Sequence, residues 1–141
     1  MKSFEDLNCW KISTELRRTC SKIVKGFPQN EKYKLVDQIV RASRSVTANI
    51  AEGFGRYHYQ EYIQFCRQSR GSLYELMDHF IVARDEGYIS EDEFNQIREQ
   101  ISNALAVLNG FINYLLKANV NKNLASDAEV QYGDIPGYEN H

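Results

Sequence analysis

Gln38-Ile-Val-Arg-Ala-Ser-Arg-Ser-Val-Thr-Ala-Asn-Ile-Ala-Glu-Gly-Phe-Gly-Arg56 carries two helical stripes side by side. At about 100° per residue, Leu35, Ile39, Ala42, Val46 and Ile50 share one apolar face. Gln38, Arg41, Ser45, Asn49 and Glu52, spaced 3, 4, 4 and 3, fall beside it in a sector of roughly 80°. A solvated helix face is usually rich in Lys and Glu in no fixed order. This stripe is narrow, mixed in type and flush with the apolar one. It predicts polar groups that are half or fully buried and satisfied by a partner helix or subunit. Gly53 suits the left-handed residue that closes a helix.

Outward from this stretch, the same 3–4 periodicity recurs. Helix 2 is expected from Asn30 or Glu31 to Glu52, with polar groups at its start that suit the helix dipole. Helix 1 is expected from Phe4 to Lys25, opened by the capping-box-like Ser3-x-x-Asp6 and ended by Gly26-Phe27-Pro28. Its seam is Cys9, Ile12, Leu16, Cys20, Ile23 and Phe27, widened by Leu7 and Trp10. Helix 3 is expected over Tyr59 to Asp85, its inner face formed by Tyr62, Phe65, Ser69, Ser72, Leu73, Leu76, Phe80 and Ala83, and Gly87 closing it. Gly71 in its middle costs roughly 1 kcal/mol against alanine, which predicts close approach of another backbone. Helix 4 opens at the capping box Ser90-Glu-Asp-Glu93 and continues through Ile97, Ile101, Leu105, Leu108, Ile112 and Leu115. Beyond about Ala118 the pattern dissolves. Residues 119–141 are rich in Asn, hold two glycines and Pro136, and carry one Lys against Asp127, Glu129, Asp134 and Glu139. They read as a disordered acidic tail. The alternative is a strap laid over a neighbouring subunit through Val130, Tyr132, Ile135 and Tyr138.

The predicted fold is therefore all-α: an up-down-up-down antiparallel four-helix bundle over residues 1–118, followed by the tail at 119–141. Helices of this length are each roughly 33–42 Å long, and short connections make neighbours antiparallel. A chain of 141 residues fits one domain and buries most of its apolar surface without staples. Only Pro28 and Pro136 could break a helix. Cys9, Cys20 and Cys66 are far apart with no CxxC, so they read as buried thiols in a reducing cytoplasm. No long uncharged apolar run predicts a membrane span, and the acidic start lacks a signal peptide's apolar core.

The net charge of −2 is uneven. Residues 1–70 hold 13 Lys+Arg against 7 Asp+Glu, and residues 71–141 hold 4 against 12. That asymmetry makes either a basic face for an acidic partner or subunits that attract head to tail. The plainer alternative is one bundle whose opposite ends neutralise each other.

Catalytic patterns are scarce. A carboxylate di-metal site needs Glu-x-x-His twice plus two further Glu. His58, His79 and His141 do not follow a Glu at that spacing; Glu75-x-x-x-His79 lacks a second pair. Ser45, Ser69 and Ser72 lie mid-helix, where hydroxyls usually bond their own backbone. Gly53-Phe-Gly55 lacks the Gly or Lys of a phosphate loop. No metal, cofactor or enzymatic activity is expected. For the polar stripe, a structural network stands beside a functional one. In the structural reading Arg41 and Glu52 each need a partner elsewhere, with Glu75 the candidate for Arg41, and Asn49 bridges to Ser72. In the functional reading Arg41, Arg44, Arg56, Arg67 and Arg70, with Tyr57 and Tyr59, hold phosphates and stack bases of RNA. Nine tyrosines exceed the needs of one small core and favour a self-associating bundle over scattered surface residues.

Three groups of residues together resemble one family. They are Phe4-x-x-Leu7-x-x-Trp10, Phe27-Pro28-x-x-Glu31-x-Tyr33-x-Leu35, and Gln38-x-x-Arg41-Ala42-x-x-Ser45-x-x-x-Asn49-Ile50-Ala51-Glu52-Gly53-x-Gly55-Arg56. Phe65, Gly71-Ser72-x-x-Glu75 and Gly87-Tyr88-Ile89-Ser90 continue the match over residues 4–117. The family is the bacterial four helix bundle proteins, known as 23S rRNA intervening-sequence proteins. The resemblance implies a four-helix bundle assembled as a homopentameric ring, with no established catalysis. A distant branch serves diversity-generating retroelements, binding a reverse transcriptase and nucleic acid. His58 departs from the family's Ser or Thr cap on helix 3, and is a poorer cap. The near-neutral charge of residues 1–118 departs from the basic retroelement branch.

These readings converge on a non-catalytic, homo-oligomeric RNA-associated scaffold or adaptor. The alternative is an accessory protein-binding subunit for a retroelement reverse transcriptase. Gln38, Arg41, Ser45, Asn49, Glu52, Gly53 and Arg56 are expected to set the helix 2 end and the subunit contact, with Ser72 and Glu75 opposite. Arg44, Arg56, Tyr57, Tyr59, Arg67 and Arg70 are the candidate nucleic-acid contacts.

Overall fold

A computed structural model describes residues 3–132, and the side chains of 3–125. Among the described residues there are four α-helices, three one-turn 3-10 segments and no strand. The helices are α1 (Asn8–Ile23), α2 (Leu35–Phe54), α3 (Tyr59–Asp85) and α4 (Glu91–Tyr132).

α1 begins later than its periodicity suggests. Ser3 caps a 3-10 turn over Phe4–Asp6 instead. Its N–H donates to Asp6 Oδ2 at 3.2 Å, and its Oγ accepts from the Glu5 N–H at 3.1 Å. Leu7 then turns extended (φ −72°, ψ 127°), and α1 starts after it. α2 likewise starts at Leu35 and not at Asn30 or Glu31. Gln29–Glu31 form a 3-10 turn behind Pro28, and Lys34 leaves helical geometry at φ −119°, ψ −104°. α2 then runs past Glu52 to Phe54, so Gly53 is a helical residue and not the left-handed closure expected.

α3 ends as its glycine demands. Gly87 takes φ +76°, its N–H donates to Arg84 O, and the Tyr88 N–H donates to Ala83 O, both at 2.9 Å. This pair of bonds satisfies carbonyls that the last turn would leave open. Ser90 then caps α4: its Oγ accepts from the Glu93 N–H at 3.1 Å, and Glu93 Oε1 accepts from the Ser90 N–H at 3.2 Å. His58 precedes α3 without a side-chain cap bond.

α4 continues through residues 119–132, where the acidic tail was expected to begin. No proline or glycine falls between Gly110 and Gly133, so nothing in the backbone stops the helix there. Residues 133–141 of that tail lie outside the described residues, as do the side chains of the strap residues Val130, Tyr132, Ile135 and Tyr138.

α1 packs against α2 and α4, and α3 packs against the same two. The contacts climb one helix as they descend the next. Along α2 and α3, Ser45 meets Ser72, Val46 meets Ser69, and Gly53 meets Tyr62. Along α3 and α4, Arg70 meets Asn109 and Arg84 meets Phe94. The core between them holds Leu16, Ile39, Leu73, Phe80, Phe94, Ile101 and Leu108, all nearly or fully buried. On α4 the seam is as the spacing predicts, except that Ala104 is fully buried and Leu105 only partly so. The Ser69 hydroxyl, fully buried, donates to Val46 O at 2.7 Å and ties α3 to α2.

Candidate functional site

The polar stripe of α2 splits into a buried middle and exposed ends. Ser45 and Asn49 are half-buried against α3, whereas Gln38, Arg41, Glu52 and Arg56 are exposed. In the middle, Asn49 Nδ2 donates to Ser45 Oγ and to Ser45 O, each at 2.9 Å. Ser45 Oγ lies 2.9 Å from Ser72 Oγ, and Ser72 Oγ donates to Gln68 O at 3.2 Å. With Ser72 donating onward, Ser45 donates to Ser72, and the chain from Asn49 to Gln68 is satisfied at each step. Asn49 thus reaches Ser72 through Ser45 and not directly.

The charged ends pair within the chain. Arg41 Nε lies 2.9 Å from Asp37 Oδ2, one turn back, and not beside Glu75. Glu75 Oε1 lies 3.3 Å from His79 Nε2 on its own helix. Arg56 Nη2 is 3.1 Å from Glu52 Oε1, and its guanidinium sits 4.8 Å from the centre of the Phe65 ring. A helical neighbour four residues away costs little side-chain entropy to reach, so these local partners win over distant ones. Such exposed pairs are worth about 0.3–0.5 kcal/mol each.

The close approach lies at Gly53 and not at Gly71. A β-carbon on Gly53 would meet Tyr62 Cδ1 at 2.9 Å, Phe65 Cβ at 3.0 Å and Tyr62 O at 3.2 Å. Around Gly71 nothing lies within 4 Å.

The expected nucleic-acid contacts differ in exposure and in the partners they take. Arg70 turns toward α4 and its Nη1 donates to Asn109 Oδ1 at 3.0 Å. Arg67 is exposed on α3. Tyr57, 92% exposed, stands edge-on to His58 at the α2–α3 turn. Tyr59 is half-buried, with Lys122 Nζ 5.7 Å from its ring centre. Arg44 lies apart from all of these, in the groove between α1 and α2.

That groove sets Arg44 beside cations that the stripe and the candidate contacts do not include. An open hollow of about 400 Å³ is lined by Arg17, Arg18, Lys22, Lys25 and Arg44, with Thr19, Ser21 and Glu15. Arg17 Nη1 donates to Thr47 Oγ1 at 2.8 Å, which holds its guanidinium over the α1–α2 seam. Arg18 pairs with Glu15 at 2.7 Å. Among the described residues, Arg17, Lys22, Lys25 and Arg44 are in no ion pair. The signal for this face stood in the sequence: Arg18, Lys22 and Lys25 recur at helical spacings of 4 and 3. Unpaired cations flanked by hydroxyls are suited to successive phosphates.

The comparison with protein-family models matches residues 5–110 to the 23S rRNA-intervening sequence protein family. The chain belongs to this family. No curated protein matches it. The stretch matched by the intervening-sequence family holds the whole polar stripe, the α1–α2 groove and α3, and it ends within α4 at Gly110. Phe111, Tyr114 and the rest of α4 lie beyond it.

Among the described residues, no three His, Cys, Asp or Glu gather as a metal would need. Burial pushes the Cys9 thiol up to about 11 and those of Cys20 and Cys66 up to about 12, which keeps them protonated near neutral pH. No helix among the described residues is long and apolar enough to cross a membrane.

Proposed function

We propose that this intervening-sequence family member is a non-catalytic, RNA-associated scaffold or adaptor. In this reading it is an up-down-up-down bundle that assembles as a homopentameric ring in a bacterial cytoplasm. The observation that carries the RNA role is the set of unpaired cations, Arg17, Lys22, Lys25 and Arg44, along one groove. A polyanion laid there gains from release of its counterions without displacing an internal ion pair. The exposed stripe ends and the exposed tyrosines Tyr33, Tyr57, Tyr74 and Tyr114 support self-association. The absence of catalysis is supported by where the candidate nucleophiles sit. Ser69 and Ser72 donate to backbone carbonyls, and the thiols are buried and protonated.

The test is the native mass by light scattering, with and without RNA, at two salt concentrations. A pentamer that gains mass with RNA at the lower salt and loses it at the higher supports the proposal. A pentamer indifferent to RNA at both salts discards the RNA role and directs attention to protein partners. A monomer discards the ring.

A further inference from the structure

A second hollow adjoins the cationic one along the α1–α2 groove. It holds about 450 Å³, within the roughly 300–1,000 Å³ of small-molecule pockets. Arg17 and Arg44 line both hollows, so the two are continuous. Arg17 Nη1 donates to Thr47 Oγ1 at 2.8 Å, which fixes its guanidinium at the junction. Past these arginines the chemistry changes. The half-buried rings of Phe4 and Trp10 line the second hollow with Ala48 and Ala51 of α2, and no carboxylate does.

The helix period explains this order. Trp10 and Arg17 are seven residues apart on α1, as Arg44 and Ala51 are on α2. Each pair therefore falls within about 20° of one line along its helix, about 10 Å apart. Trp10 and Ala51 line the second hollow alone, and Lys22 and Lys25 the first alone. The groove thus passes from an aromatic end, through two arginines, to a lysine end.

Phosphates account for the cationic end but not for the rings. Phe4 meets Trp10 edge to face, with centres 5.4 Å apart. A planar base stacked on one ring lies edge-on to the other, and aromatic rings favour both arrangements. An aromatic ring beside guanidiniums suits a nucleotide whose phosphate rests on the cations and whose base rests on the ring. Only an unpaired base can be splayed out in this way, because a duplex keeps its bases stacked on one another.

We infer that the α1–α2 groove takes an unpaired stretch of RNA, with one base against Trp10 and the adjoining phosphates on Arg17, Arg44, Lys22 and Lys25. This deepens the RNA reading proposed above and rests on it. A groove that held phosphates alone would accept a duplex as readily as a single strand.

Trp10 is the chain's single tryptophan, so its fluorescence reports the second hollow. The full-length protein is titrated at low salt with a short unstructured RNA, with the same RNA annealed to its complement, and with inorganic polyphosphate. The anisotropy of labelled RNA reads affinity in parallel. The single strand is expected to quench Trp10, while the duplex and polyphosphate leave its emission unchanged. The single strand is also expected to bind about tenfold more tightly than the duplex, as one stacked base would give. Ala48→Leu fills the hollow from an exposed position on α2. It is expected to abolish the quench and lower single-strand affinity about tenfold, with the melting temperature unchanged. Duplex binding as tight as that of the single strand overturns the inference and leaves the cationic groove as an RNA surface. So does quenching by polyphosphate equal to that by RNA, or an Ala48→Leu variant that quenches and binds in full. RNA that binds in neither form overturns the RNA reading and this inference with it.

Discussion

Gly53 and Tyr62 stand so close that a β-carbon on the glycine would lie 2.9 Å from Cδ1 of the tyrosine. The next obstacles are the Phe65 β-carbon at 3.0 Å and the Tyr62 carbonyl at 3.2 Å, so the α3 backbone itself would have to move. Gly53→Ala sets a helix-propensity gain of about 1 kcal/mol against an overpacking cost of about 1–3 kcal/mol. The clash with backbone decides the sign. We expect a net loss of up to about 2 kcal/mol, read as a lower urea midpoint at fixed protein concentration. Gly71→Ala is the control. With nothing within 4 Å of that site, it should raise stability by several tenths of a kcal/mol up to about 1 kcal/mol.

Glu52 separates folding from assembly. Its carboxylate pairs with Arg56 at 3.1 Å, and both side chains are about half exposed. Within one chain the pair is worth about 0.3–0.5 kcal/mol. Glu52→Ala should therefore leave the helical circular dichroism intact while lowering the native mass at micromolar concentration. An unchanged mass with an unchanged melting temperature removes Glu52 and Arg56 from the subunit contact.

The buried thiols predict a loss of stability at high pH. Burial lifts Cys9 from its ordinary 9.0 to about 11, and Cys20 and Cys66 to about 12. Burial also lifts the Tyr62 hydroxyl above its usual range. Each group keeps its proton longer when folded than when unfolded. Between pH 9 and 11 the unfolded chain binds fewer protons, so stability falls as pH rises. The slope approaches about 1.4 kcal/mol per pH unit for each thiol that the unfolded state has ionised. The contribution is fully present below pH 9. Denaturant midpoints measured from pH 8 to 11 check the slope. Cys20→Ala and Cys66→Ala should each flatten it.

The helices were legible because each carries an unbroken 3–4 repeat, and α4 most clearly. Their first turns were not. Ser3 and Asp6 satisfy each other's neighbourhood in a 3-10 turn, and Lys34 interrupts the start of α2. Local hydrogen bonding settled both boundaries, where apolar spacing is silent. The partners of Arg41 and Arg56 were within reach of the same arithmetic, since Asp37 and Glu52 each lie four residues back. Gly71 falls about 200° around α3 from the buried Leu73, so its exposure also follows from the helix period. Gly53 is different. It lies on the α3-facing side of α2, and only the packing of α3 reveals that Tyr62 and Phe65 need the space. Of the candidate RNA contacts, Arg56, Tyr57 and Tyr59 sit at the α2–α3 turn, Arg67 and Arg70 lie along α3, and Arg44 shares a hollow with Arg17, Arg18, Lys22 and Lys25, a grouping across two helices that spacing within one helix does not reveal.

That grouping yields the sharpest prediction about RNA. Lys22 and Lys25 lie in the hollow with Arg44 and have no ion pair among the described residues. Arg67 is exposed on α3, a helix that packs on α2 and α4. Each cation that neutralises a phosphate of a single strand contributes about 0.7 to the slope of log K against log salt. Lys22→Gln with Lys25→Gln should therefore lower that slope by about 1.4 and weaken binding most at low salt. Arg67→Gln should leave slope and affinity unchanged. All these side chains are on the surface, so the melting temperature should stay within a degree or two in every variant. Titration of a fluorescent RNA across a salt series reads both quantities. If Arg67→Gln weakens binding as much as the double variant, the α1–α2 groove is not the RNA surface, and the assignment returns to α3.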